Sequence, residues 1–175
     1  MSHFKDDGDE VEAFTNYFAN THSVFIPKVL EVNDNDDFIN RDDKDYVMSR
    51  IREKYLQDST ETIVLLGSCT HSRRYVDLEV KSSLRVGHFI PNGLMGIALP
   101  SRNNLAHLSP RLKANWNSDH HNCYSRYLSY PGSPVELVSW IEDAYLARTS
   151  CAHLIANTKD MMRNKGKCKI CGVTH

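Results

Sequence analysis

The sequence predicts an α/β fold, a doubly wound and mostly parallel sheet flanked by helices, and three observations carry that prediction. Thr62-Ile63-Val64-Leu65-Leu66-Gly67 is an unbroken apolar run between Asp58-Ser59 and a glycine. Such a run marks a strand covered on both faces, because a half-solvated strand would alternate polar and apolar residues. Ser72 to Leu84 follows at helical spacing, with Tyr75, Val76, Val80 and Leu84 on one face. Gly93-Leu94-Met95-Gly96-Ile97-Ala98-Leu99-Pro100 then returns as a second buried strand, ended by its proline. Strand, helix and strand in that order imply a right-handed crossover and a parallel sheet, with ligands expected beyond the carboxyl ends of the strands.

The remaining elements follow in chain order. Asp9 to Phe18 places Val11, Phe14 and Phe18 at helical spacing and puts acids in the first turn, where they favour the helix dipole. Val24 to Leu30 is rich in strand formers, and Pro27 confines such a strand to a sheet edge. An aspartate-rich loop from Asn33 to Asp45 feeds a second helical stripe of Tyr46, Val47, Ile51 and Tyr55. Residues 101–123 are polar and irregular, either a functional loop or an ordered insertion. Tyr127 to Tyr130 reads as a last short strand. Ser133-Pro134-Val135-Glu136 is a capping box with proline at the first helical position. It opens a helix expected to line the core with Leu137, Val138, Ile141, Ala144 and Tyr145. After Ser150 the chain turns Lys-rich and loses periodicity, which predicts a domain over 1–150 and a frayed tail over 151–175.

Composition narrows the function. The chain has 175 residues, 41% of them hydrophobic, enough for one core. Lys plus Arg is 21 against 22 for Asp plus Glu, so no global positive field exists to hold nucleic acid. No apolar run approaches the roughly 20 residues of a membrane helix, and the first residues are too polar for a signal peptide. The expectation is a soluble, cytoplasmic protein with reduced thiols, its five cysteines being odd in number and unevenly spaced.

Among residues able to carry chemistry, Glu79 stands out. Helical spacing sets it beside Tyr75 and Val80 at the edge of the apolar stripe, partly desolvated, with Arg73 and Arg74 one to two turns away. It is either a functional acid or a carboxylate paired with an arginine at the solvent edge. The turn Gly67-Ser68-Cys69-Thr70-His71-Ser72 joins that strand to that helix, and its small residues admit a ligand close to the backbone. Neither dinucleotide nor P-loop glycine patterns occur there. Cys69 is a thiolate nucleophile or, more simply, a small buried filler. The Asp34-Asn35-Asp36-Asp37-Phe38 stretch lacks the glycine and glutamate of a calcium loop, and leaves Phe38 as an aromatic that could reach over a ligand. Cys168, Cys171 and His175 supply three zinc-type ligands where a structural site needs four, with Cys123, His120 or His121 available to complete it.

Several of these segments together resemble TIR-like domains, a flavodoxin-like fold, and specifically the ThsB-like bacterial group of the Thoeris anti-phage system. The resemblance rests on Ile63-Val64-Leu65-Leu66-Gly67, on Cys69-Thr70, and on Arg73-Arg74-Tyr75-Val76-Asp77-Leu78-Glu79-Val80. Ser2-His3-Phe4-Lys5-Asp6-Asp7, Asp43-Lys44-Asp45-Tyr46-Val47-Met48 and Trp140-Ile141-Glu142-Asp143-Ala144 add to it. Tyr75 stands four residues before Glu79, where the family usually has tryptophan. The family also carries a hydrophobic strand ahead of the Ser-His-Phe segment, and here Met1 alone precedes Ser2. The resemblance implies cleavage of the nicotinamide–ribose bond of NAD with Glu79 as catalytic residue, giving a linear or cyclised ADP-ribose signal for a downstream effector. It implies Phe4, Phe38 and Tyr75 as aromatic contacts to the nucleotide and Ser68, Thr70 and Arg74 as its polar rim. It implies no cofactor beyond NAD as substrate, and a homo-oligomer. A non-catalytic assembly module and a deoxyribosyltransferase-like enzyme are the rival readings, since the latter fold also sets a glutamate against a ribosyl centre.

Overall fold

The computed structural model describes residues 1–2, 7–30, 32, 35–39, 41–85, 90–102, 107–119, 122–162 and 166–174. Its centre is a three-stranded parallel sheet in the order β1 (Glu61–Leu66), β2 (Gly93–Ala98), β3 (Arg126–Leu128). Glu61 pairs with Gly93 and Leu66 with Ala98, while Met95 pairs with Arg126. On the other side of β1, Ser2 forms a parallel bridge to Val64, its amide donating to Ile63 O and its carbonyl accepting from Leu65 N, both at 2.9 Å. Met1 in turn accepts from the Leu30 amide at 2.8 Å. The segment 24–30 therefore lies where an edge strand was expected but forms no ladder. Proline at position 27 removes one of the amide donors that a ladder there would need.

Helices cover both faces, as the unbroken apolar run of β1 requires. Ile63 and Leu65 point to one layer, with Val11 and Phe14 of α1 (Gly8–Phe14), Phe18 of its π-helical continuation (Thr15–Thr21), and Leu137 and Ala144 of α5 (Pro134–Ser150). Val64 and Leu66 point to the other, with Val76, Val80 and Leu84 of α3 (Arg74–Ser83) and Leu112 of α4 (Pro110–Ala114). A third cluster joins Leu78 of α3 to Val47, Met48 and Ile51 of α2 (Lys44–Ile51). Helix α3 is thus wedged between the sheet and α2, and Asp77 and Glu79 are buried along with its apolar stripe, the first against Arg111 of α4 and the second against Ser2 and Val32.

The 101–123 stretch is an ordered insertion in its described part: Ser109 caps α4 by accepting from the Leu112 amide. The α5 start has the proline and the serine cap expected, with Ser133 Oγ accepting from Glu136 N at 3.2 Å, while the Glu136 carboxylate accepts from the Gly132 amide at 2.7 Å rather than from Ser133 N. Two expectations change. Val138 and Tyr145 are exposed and the core-facing positions are Leu137, Ala144 and Ala147, because the stripe turns by about one residue along this long helix. The tail over 151–174 is docked in its described residues: Asn157, Lys159 and Asp160 bind Arg111, and Gly166 N donates to Ser72 O at 3.1 Å. Hydrogen bonds to backbone groups carry no hydrophobic period, so the sequence pattern is silent about them. No helix among the described residues is long and apolar enough to cross a membrane.

Candidate active site at the carboxyl ends of the strands

Beyond Leu66 the chain turns at Gly67, and this turn depends on glycine for a visible reason. A Cβ on Gly67 would fall 2.0 Å from Asp7 Oδ2, so the Asp7 carboxyl lies directly on the backbone. Thr70 Oγ1 accepts from the Gly67 amide at 2.9 Å and reaches Asp7 Oδ2 at 3.3 Å. Asp7 enters the sequence reading only as part of a resembling segment, since nothing in its local pattern shows that it meets a turn 60 residues away.

Glu79 sits one layer below. Its side chain is 3% exposed. The Ser2 hydroxyl donates to Oε2 and the Val32 amide donates to Oε1 at 3.3 Å. Burial pushes the carboxyl up to about 8, with the two donors and the charge of the Met1 amino group pulling weakly the other way. The solvent-edge, arginine-paired alternative is thereby set aside in favour of a buried acid. The Arg74 guanidinium instead donates to Ile39 O at 3.0 Å and lies 5.8 Å from the Tyr75 ring centroid.

The other residues singled out in the sequence are distributed unevenly. Tyr75 is half-buried one turn from Glu79 and packs on the α2 cluster. Phe38, expected to reach over a ligand, is 2% exposed and belongs to that same core cluster, held among Leu30, Val32 and Ile39. Thr70 is fully buried and ties the turn together, whereas Ser68 is half-buried at its rim. Phe4, His120, His121 and His175 lie outside the described residues. Of three hollows lined by described residues, the largest, about 580 Å³, opens at the amino end of β1 between Phe25, Lys28 and Thr60. Another, about 480 Å³, lies between His71, His107, Lys113, Trp116 and Lys169. Glu79 lines none of the three.

Next to the Gly67 turn, sequence-distant cysteines converge. Cys69 Sγ lies 3.3 Å from Cys168 Sγ and 3.6 Å from Cys171 Sγ. Cys123 is elsewhere, its thiol 3.3 Å from Ser125 O. Cys69 is pushed up by burial and by the two neighbouring thiols. Burial also opposes a Cys168 thiolate, but the Cys171 and Ile170 amides and both thiols outweigh it and pull this group down.

A parallel sheet covered on both faces, with a buried glutamate on the helix after its strongest strand and a glycine turn at that strand's carboxyl end, defines a TIR-like α/β domain. Residues 1–104 match the family described as Thoeris protein ThsB, TIR-like domain. The chain belongs to that family. No match was found to a curated protein or to a solved structure.

Proposed function

We propose that this chain is a TIR-like enzyme of phage defence that breaks the nicotinamide–ribose bond of NAD and releases an ADP-ribose-type nucleotide for a downstream effector. The single observation that supports it is Glu79, a carboxyl buried beside the first sheet segment, with hydroxyl and amide donors as its hydrogen-bond partners. A buried acid that costs stability and sits on the helix below the glycine turn at the carboxyl end of β1, against the Ser2 segment that pairs with Val64, fits a functional site better than a structural one. As nicotinamide leaves with the bonding pair, positive charge moves from the pyridinium onto the ribose ring. A carboxylate held against that ring stabilises it, and water or an internal nucleophile then forms a new bond to the anomeric carbon, water giving up its proton to the solvent.

The raised pKa suits a cationic substrate. Glu79 is mainly protonated at neutrality when the site is empty, and an arriving pyridinium favours loss of that proton. Ser2 and Val32 hold the carboxyl's rotamer. Incubation with NAD and measurement of free nicotinamide tests the reading. Glu79→Gln is expected to lower release by about 100-fold or more, and wild-type release by this variant removes the assignment.

One observation favours a second reading, a non-catalytic module that self-associates. Helix α5 presents Val135, Val138, Tyr145 and Leu146 to solvent along one side, Val135 being 79% exposed. Assembly without any nicotinamide release by the wild-type chain would select it.

A further inference from the structure

The cysteines beside the Gly67 turn are arranged by more than chance proximity. Lys167 and Thr174 pair antiparallel, Cys168 N donates to Val173 O at 2.8 Å, and Gly172 N donates to Cys168 O at 3.0 Å. Gly172 has φ +73°, the left-handed conformation that glycine adopts without cost, and it closes the hairpin just after Cys171. Inside the hairpin the Ile170 amide donates to Cys168 Sγ at 3.4 Å. Amides aimed at a sulfur stabilise a thiolate rather than a thiol. Cys69 reaches the hairpin from the β1–α3 turn, and the three sulfurs lie within 4.8 Å of one another.

Zinc bound by thiolates has Zn–S near 2.3 Å, which sets sulfur–sulfur edges of a tetrahedron at about 3.8 Å. The observed 3.3 and 3.6 Å separations approach that edge and are far from a covalent disulfide of about 2.05 Å. His71 accepts from the Lys169 amide through Nε2 at 3.1 Å, fixing the hairpin over the turn. We propose that Cys69, Cys168 and Cys171 bind one zinc ion that clamps the C-terminal hairpin onto the carboxyl end of β1, the fourth corner being filled by a group outside the trio. Three soft sulfur donors select zinc over calcium or magnesium, which take oxygen. This assignment is independent of the NAD reading and can fail or stand without it.

The test is elemental analysis of the full chain purified without chelator, with reductant present. About one zinc per chain is expected. Cobalt in its place should give thiolate-to-metal charge transfer in the near ultraviolet and tetrahedral bands in the visible. Cys171 has an exposed side chain, so Cys171→Ser keeps the fold and is expected to lose the zinc and the charge-transfer band. Cys151→Ser and Cys123→Ser keep both. A reduced chain that takes up neither metal overturns the proposal. So does a Cys171→Ser protein that holds as much zinc as wild type, or a disulfide among the three cysteines whose reduction restores no metal uptake.

Discussion

Asp77 and Glu79 stand two residues apart on one helix, equally buried at 4% and 3% exposure, yet they are solved in opposite ways. Asp77 faces a cation. Arg111 Nε donates to its Oδ1 at 3.0 Å and Nη2 to its Oδ2 at 3.3 Å, and the Met162 amide adds a third bond at 2.9 Å. Arg111, itself 2% exposed, also binds Asn157 and the carbonyls of Lys159 and Asp160. Glu79, on the opposite side, is held by one hydroxyl and one amide. The first acid is neutralised in place and serves to fasten the tail, while the second keeps an unspent electrostatic cost. A buried charge fastened by an ion pair is architecture, and a buried carboxyl raised by desolvation is where function is sought.

The largest expected effect is on the pH dependence of stability. Raising a carboxyl from 4.5 to about 8 means that the folded state binds more protons than the unfolded state between those values. The contribution of Glu79 to stability then falls as pH rises through that window, by about 5 kcal/mol in all, and is flat on either side. Glu79→Gln retains an amide able to meet Ser2 and Val32 but cannot ionise. It should melt together with wild type near pH 4 and well above it at pH 9. Parallel profiles across this range would show that Glu79 titrates like an exposed acid and would erase the contrast with Asp77. A variant that gains stability while losing nicotinamide release would sharpen it.

Asp77→Asn probes the paired partner. Removing one charge strands Arg111 in a site with 2% exposure, and such a loss costs about 3–5 kcal/mol. Because Arg111 and Asp77 jointly hold residues 157–162, limited proteolysis should cut the tail faster in the variant. Adding Arg111→Met should recover part of the loss, since the stranded charge goes with it. If chemical denaturation shows less than about 1 kcal/mol for Asp77→Asn, the pair is not the anchor described.

What the sequence discloses of this arrangement follows from which forces have a period. The strands at 61–66 and 93–98, helix α3 and the Ser133 cap are set by apolar spacing and by one local hydrogen bond, and all are readable from short windows. Glu79 is visible as an acid at the edge of a stripe, but its depth depends on Ser2 and Val32 meeting α3, which no window of α3 contains. Phe38 is hidden for the same reason: a loop aromatic reads as available until the third core cluster encloses it. The cysteine trio joins positions about 100 residues apart, so only its C-x-x-C half is legible. Asp7 against Gly67 is likewise a contact between segments with no shared pattern.

The smallest effect isolates the Ser2 hydroxyl, the group that makes the bridging first segment part of the site. In the protonated state Glu79 loses only an ordinary hydrogen bond with Ser2→Ala, about 1 kcal/mol. In the ionised state it loses a bond to a charge, about 1.5–3 kcal/mol, so the difference favours the neutral acid. The upper end of the pH window over which the wild-type minus Glu79→Gln stability difference changes, measured in the alanine background, should therefore move above about 8 by roughly one pH unit. Stability near pH 5 should fall by only about 1 kcal/mol. An upper end that stays in place would mean that the Val32 amide alone fixes the carboxylate, and that Ser2 contributes only its backbone pairing with Ile63 and Leu65.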